Sequence, residues 1–360
     1  MSEEIYRKLA KVLDTLPNGF PPSEDGIELR LLKKIFAPEE AELFCDLRLS
    51  FETPQQIAQR TGRPLEGLEE KLLVMQQKGQ VMGVDFGEVK IFRMLPWVFG
   101  IFEFQLPRID RELAELSEAY GATFGPRFFA NKPQLMQIVP IESKLPDRST
   151  ALPYQQISAI LENGKSFSVN ECICKKEQKL LGHACTHPSQ VCLAIAPLPG
   201  YFENAKSWGK PITRQEAYEL MAKAEESGLV HMTNNYQGGH FFICNCCSCC
   251  CGVLRSINQW GIPEGVNSQF VARIDPEACV ACGTCAEQRC QVHAIEEADG
   301  AYRVIEEKCI GCGLCATTCP SEAIRLFEKE AQKCTPPPAD EKQWYEQRAK
   351  VRGVDFSRYA

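Results

Sequence analysis

Nineteen of the twenty cysteines lie between residues 172 and 334, and this crowding limits what the chain can fold into more than any other feature. Disulfide-dense chains are usually short and exported. This chain has 360 residues and opens MSEEIYRKLA, with acids at once and no apolar stretch behind them. No run of 18 or more apolar residues could cross a bilayer, and Met94 to Phe102 is bounded by Arg93 and Glu103. The expectation is a cytoplasmic, reduced protein without a membrane span, in which clustered thiols bind metal.

Cysteine density divides the chain. Residues 1–150 hold only Cys45, residues 151–268 hold ten cysteines in irregular spacing, residues 269–330 hold eight in regular spacing, and residues 331–360 form a charged tail. The tail begins around Cys334-Thr335-Pro336-Pro337-Pro338 and carries Trp344, Tyr345, Phe356 and Tyr359. Those aromatics should lie on this chain or on a partner. The fold class expected is α+β and multidomain.

The regular segment contains Cys309-x2-Cys312-x2-Cys315-x3-Cys319-Pro320, preceded thirty residues earlier by Cys279, Cys282, Cys285 and Cys290. The copies align outside the cysteines. Arg273-Ile274 stands before Cys279 as Arg303-Val304 stands before Cys309, and Cys290-Gln291-Val292-His293-Ala294-Ile295 parallels Cys319-Pro320-Ser321-Glu322-Ala323-Ile324. Each copy reads as a strand, a cysteine loop and a short helix. A [4Fe-4S] cube needs one thiolate per iron, and three thiolates two residues apart can wrap three corners from one loop. Gly311 and Gly313 let the backbone approach closely. Zinc sites use Cys-x2-Cys pairs instead, and two complete three-cysteine runs argue against zinc here.

These residues resemble the bacterial two-[4Fe-4S] ferredoxins, in which the fourth cysteine of each run serves the other cluster. The resemblance implies one cluster on Cys279, Cys282, Cys285 and Cys319, and a second on Cys309, Cys312, Cys315 and Cys290. The first run departs from the family. Four residues separate Cys285 from Cys290, and Gln291 stands where proline is usual.

The irregular cysteines form two sets, Cys172, Cys174, Cys185 and Cys192, then Cys244, Cys246, Cys247, Cys249, Cys250 and Cys251. Between them Thr213-Arg214-Gln215-Glu216 marks a helix start, with Ile212 placed to staple against Ala217 and Gly228 as the stop. A second helix is expected over Val253–Gln259, its positive end facing the thiols. The ten thiols are candidate ligands of one or two further [4Fe-4S] clusters, the subset left open. Zinc on Cys172, Cys174, Cys185 and Cys192, or a redox-sensing dithiol, are the alternatives. His183, His187, His231 and His240 read as structural neighbours rather than ligands. Cys250-Cys251-Gly252 resembles the CCG element of heterodisulfide-reductase-type clusters, although the rest of that motif does not align.

In the N-terminal region, Thr53-Pro54-Gln55-Gln56 begins one helix, Leu65–Lys78 forms another, and Val81–Phe92 reads as a hairpin turning at Phe86-Gly87. Helix, helix and hairpin give a winged-helix-like outline over about residues 50–95. Trp97 to Phe104 reads as core, Asp110–Tyr120 as an amphipathic helix and Leu135–Ile141 as a strand. The second helix opens with Glu66, Glu69 and Glu70, and residues 1–150 carry 19 basic and 23 acidic side chains. Phosphate contacts require the opposite charge, which argues against nucleic acid.

The whole chain is also similar to a group of anaerobe ferredoxin-domain proteins, on Glu171-Cys172-Ile173-Cys174-Lys175, Gly228-Leu229-Val230-His231 and Cys244-Asn245-Cys246-Cys247. That resemblance implies electron transfer in anaerobic metabolism. No dinucleotide fingerprint, Walker loop or hydrolase triad is present, so a flavin or nicotinamide would belong to a larger partner oxidoreductase. The reading is a non-catalytic electron-transfer component. A redox-responsive DNA-binding regulator and a reductase centred on the middle cysteines are the rivals.

Overall fold

The computed structural model describes residues 2–129, 131–147, 151–204, 209–262, 265–330, 332 and 334–360. The chain is a mixed α/β, multidomain protein with two compact units: Met1–Asn131, Lys176–Ala184 and Tyr345–Ala360 in one, Lys132–Lys175 and Cys185–Trp344 in the other. The cysteine-rich segment and the ferredoxin-like segment share the second unit. No helix among the described residues is long and apolar enough to cross a membrane.

In the first unit the helices Ser2–Thr15, Ile27–Ile35 and Pro38–Phe44 bury Leu9, Leu13, Leu31, Leu32 and Phe44. Cys45 is buried there too, and burial pushes its thiol up to about 12, so it stays protonated. Thr53 caps the helix Pro54–Thr61 reciprocally with Gln56, as the capping-box pattern predicts. The next helix, Leu68–Gln77, begins three residues later than expected because Gly67 is left-handed (φ 72°) and interrupts the turn. Strands β1 (Val81–Asp85) and β2 (Lys90–Met94) complete the hairpin, with Val81 opposite Met94.

Trp97, Ile101 and Phe102 are buried, and the Trp97 ring meets Phe20 and Tyr120 at 5.5 and 6.2 Å, so this run is core. The helix expected to end at Tyr120 continues to Phe129, through Gly121, Gly125 and Pro126. The i, i+4 aromatic stripe explains the extension. Tyr120, Phe124 and Phe128 stack at 5.7 and 4.3 Å and bury enough apolar surface to offset the poor helix formers. From the tail, the fully buried Arg348 donates to the carbonyls of Phe128 (2.6 Å) and Asn131 (2.9 Å) in this unit.

The second unit is built on a seven-stranded sheet. Its strands are β3 (Met136–Ile138), β4 (Ser166–Glu171), β5 (Gln190–Ala196), β6 (Lys210–Ile212), β7 (Val230–Asn234), β8 (Phe242–Cys246) and β9 (Val266–Asn267). Their spatial order is β6-β4-β5-β8-β7-β3-β9, antiparallel except for β3 beside β9. Strand β3 is shorter than the predicted Leu135–Ile141, because beyond Val139 the chain leaves the sheet and the Ile141 N–H donates to the Cys312 carbonyl. The helices Ile157–Asn163 and Arg214–Glu226 supply Ile157, Ile160, Leu161, Ala217 and Met221 to a core with Phe167, Leu193, Ile195 and Ile243. Thr213 and Glu216 form the expected capping box, and Ile212 packs on the same core. Because side chains alternate along a strand, Ile243 points into this core and Cys244 and Cys246 point to the other face of β8.

Two small antiparallel pairs follow. Strands β10 (Phe270–Ile274), β11 (Ile295–Ala298), β12 (Ala301–Val304) and β13 (Ile324–Glu328) pair as β10 with β13 and β11 with β12.

Candidate metal centres

The strand at the start of the first cysteine copy pairs with the strand that ends the second copy, Ile274 facing Ile324 and Ala272 facing Leu326. The inner strands β11 and β12 pair with each other, Ile295 facing Val304. This pairing folds the two copies head to tail. It brings Cys319 across to Cys279, Cys282 and Cys285, and these four line one cavity with Ile274, Tyr302 and Ile324. Cys290 crosses the other way, close enough to Cys309, Cys312 and Cys315 to act on their charge. Burial pushes the Cys312 thiol up to about 12 and holds Cys315 well above the usual thiol range, an environment that penalises free thiolates and suits a thiolate neutralised by metal.

Backbone N–H groups point at these sulfurs. Ala294 donates to Cys290 Sγ at 3.1 Å, and Ala272 and Gly311 donate to Cys309 Sγ at 3.4 Å. The duplication extends to backbone conformation. Ala281 and Gly311, Gly283 and Gly313, and His293 and Glu322 each share positive φ at equivalent places. At Gly311 a Cβ would stand 2.0 Å from the Phe270 carbonyl oxygen, so only glycine lets β10 and the loop approach.

Residues 272–326 match the family model of a 4Fe-4S dicluster domain. No curated protein matches the chain. The dicluster domain thus covers the eight regularly spaced cysteines and accounts for one segment of the second unit.

The two departures within the first copy of the dicluster domain are both joints to the central segment. Arg289, the added residue before Cys290, is buried and donates to the carbonyls of Glu225 (2.9 Å), Glu226 (3.1 Å) and Leu314 (3.3 Å). The first two carbonyls lie in the last turn of the helix Arg214–Glu226, where a cation also interacts favourably with the helix dipole. Gln291 accepts from the Ser248 N–H and hydroxyl and donates to the Gly228 carbonyl, while its own carbonyl accepts from Asn258. The sequence marked both positions as unusual, but nothing in it named their partners.

In the central segment the fold regroups the ten thiols. Cys185 leaves its sequence neighbours and joins Cys247, Cys249 and Cys250, the four sulfurs all within 4.8 Å of one another. Cys249 Sγ lies 3.3 Å from Cys247, 3.6 Å from Cys185 and 3.7 Å from Cys250, and Cys185 lies 3.8 Å from Cys247. The Cys250 and Cys251 N–H groups both donate to the Cys247 carbonyl, which makes the turn that gathers them. The hydrogen bond from Cys250 draws the Cys247 thiol down to about 5 against the cost of burial, so this group carries thiolate at neutral pH.

Of the remaining six thiols, Cys192, Cys244 and Cys246 lie on strands β5 and β8, and Cys174 lies on the helix Ile173–Leu180. Leu193 pairs with Ile243, which sets Cys192 beside Cys244, and hydrogen bonds run from Cys192 to Cys244, Cys246 and then Cys251. The free thiols Cys172 and Cys174 hydrogen-bond to each other and pack with Cys185 against Val191, Ala224 and Leu229. Cys251 caps the helix Gly252–Trp260, one residue longer at each end than expected. The predicted grouping of Cys172, Cys174, Cys185 and Cys192 is not drawn together within one ion's reach among the described residues.

Three of the histidines hydrogen-bond backbone, amide or hydroxyl groups. His231 is buried with Nδ1 2.6 Å from Asn245 Oδ1. The Asn245 amide nitrogen is committed to the Val191 carbonyl, so His231 Nδ1 carries the proton. His187 Nδ1 pairs with the Ser227 carbonyl at 2.9 Å, and His240 with the Thr233 hydroxyl at 3.3 Å. Cys334 lies near the Lys329 and Gln269 carbonyls, outside both thiol groups.

Proposed function

We propose that the protein is an iron–sulfur electron-transfer component that relays single electrons to or from a partner oxidoreductase in anaerobic metabolism. The observation that carries this reading is the crossed arrangement of eight cysteines in the dicluster domain, Cys279, Cys282, Cys285 with Cys319 and Cys309, Cys312, Cys315 with Cys290. Each group offers the four thiolates that one [4Fe-4S] cube needs. Such cubes, when bound, supply reversible one-electron chemistry. The chain's own part is to hold the thiolates, to aim the Ala272, Ala294 and Gly311 N–H groups at sulfur, and to keep water off with Ala272, Ala316 and Leu326.

The winged-helix-like N-terminal region suits protein docking better than nucleic acid. Glu66, Glu69 and Glu70 put acid where phosphates would lie, and Glu69 is paired with Lys90 of the hairpin. A flavin-containing oxidoreductase is the partner class that converts single electrons into two-electron chemistry.

The test is anaerobic purification, followed by iron and acid-labile sulfide assays and by electron paramagnetic resonance after dithionite reduction. The expected result is a dicluster domain with about eight irons and eight sulfides and a signal from reduced cubes, with Cys312→Ser lowering iron by about four. Protein that contains no sulfide, or whose cubes exchange no electrons with a flavoprotein acceptor, would overturn the reading.

A further inference from the structure

We infer that Cys185, Cys247, Cys249 and Cys250 hold one tetrahedral metal ion of the zinc class rather than an iron–sulfur cube. The sulfur separations are the evidence. Four thiolates around one ion, at metal–sulfur bonds of ~2.3 Å, form a tetrahedron with edges of about 3.8 Å. Four of the six edges here are 3.3, 3.6, 3.7 and 3.8 Å, and the other two lie within 4.8 Å. A cube binds each thiolate to a different iron and therefore holds its sulfurs wider apart. The chain contains its own comparison. Among the described residues, the dicluster cysteines form no group of three drawn within 4.8 Å, whereas these four do.

The ligand pattern agrees. Cys247-Ser248-Cys249-Cys250 contains a Cys-x2-Cys pair, one of the zinc spacings, and the turn that sets it is closed by N–H bonds to the Cys247 carbonyl. Four protein ligands leave no vertex open, which marks a structural rather than a catalytic ion. The ion would fasten the segment at Cys185 to the turn at Cys247–Cys250 over a small core of Val191, Ala224 and Leu229. Few apolar side chains serve that corner, and cross-linking by metal would replace the burial it lacks.

The proposal goes beyond the electron-transfer reading, and one set of assays separates them. Zinc, iron and acid-labile sulfide are measured on the full-length holoprotein and on Cys185→Ser and Cys250→Ser. The expected result is about one zinc per chain, lost in both variants, with iron and sulfide unchanged. Loss of about four irons and four sulfides in either variant would identify a cube and overturn the proposal. Should those variants fail to fold, Cys249→Ser changes the exposed ligand and cobalt supplies the readout. Cobalt should give tetrahedral thiolate absorption in the wild type that Cys249→Ser weakens. No cobalt spectrum in the wild type also overturns the proposal. Dicluster iron in the same samples reports separately on electron transfer.

Discussion

The side-chain carbonyl of Gln291 accepts hydrogen bonds from both the backbone N–H (2.8 Å) and the hydroxyl (3.0 Å) of Ser248. Gln291 follows Cys290 of the dicluster domain, and Ser248 sits between Cys247 and Cys249. A residue that breaks the ferredoxin pattern therefore ties one thiol group to the other.

Gln291→Ala should lower the stability of the holoprotein by about 1–3 kcal/mol, since buried groups on Ser248 and Gly228 lose their partner. Chemical denaturation under anaerobic conditions measures this. An unchanged midpoint would show that the joint contributes nothing.

Gly311→Ala should cost the second cysteine group its metal. The residue is left-handed (φ 62°) and its Cβ would meet the Phe270 carbonyl at 2.0 Å, adding a clash to the roughly 1–2 kcal/mol of left-handed strain. Iron should fall by about four per chain. Gly87→Ala is the control, with φ 87° and open space around it, and should leave iron content intact.

His231 makes stability depend on pH. Burial lowers its folded pKa to about 4 from 6.5, outweighing the Asn245 hydrogen bond. The unfolded chain binds the proton below 6.5 and the folded chain does not, so this contribution is complete above pH 6.5 and is lost as pH falls toward 4. It amounts to about 3 kcal/mol. His231→Gln should flatten that slope in denaturation curves taken from pH 7 to 4.5, and parallel slopes would refute the assignment.

Arg348→Met should destabilise the first unit by roughly 2–5 kcal/mol, because the Phe128 and Asn131 carbonyls lose their donor and the guanidinium leaves its place 4.6 Å over the Phe128 ring. Urea denaturation followed by tryptophan fluorescence would read the loss. Arg348→Lys should recover only part of it, since an ammonium lacks the planar fork.

Features set by local chemistry were legible without the fold. Thr53 and Thr213 announced their helices because a capping box closes within four residues. The repeat around Cys279 and Cys309 announced a dicluster domain because three thiolates from one loop are a local device. The aromatic helix beyond Tyr120 was not legible, because Gly121, Gly125 and Pro126 argue against it locally and only burial of Phe124 and Phe128 overrides them.

By itself the sequence determined that this chain binds metal through crowded thiols and that eight of them serve a duplicated iron–sulfur domain. It grouped the ten central thiols by chain proximity, with Cys185 beside Cys172, Cys174 and Cys192. Only the tertiary structure moved Cys185 to Cys247, Cys249 and Cys250, and set Cys192 against Cys244. The physical reason is that ligand spacing is written in the chain where one loop holds the ligands. Where strands β5 and β8 must pair first, the partners follow from register and from the path back into the sheet, which spacing does not encode.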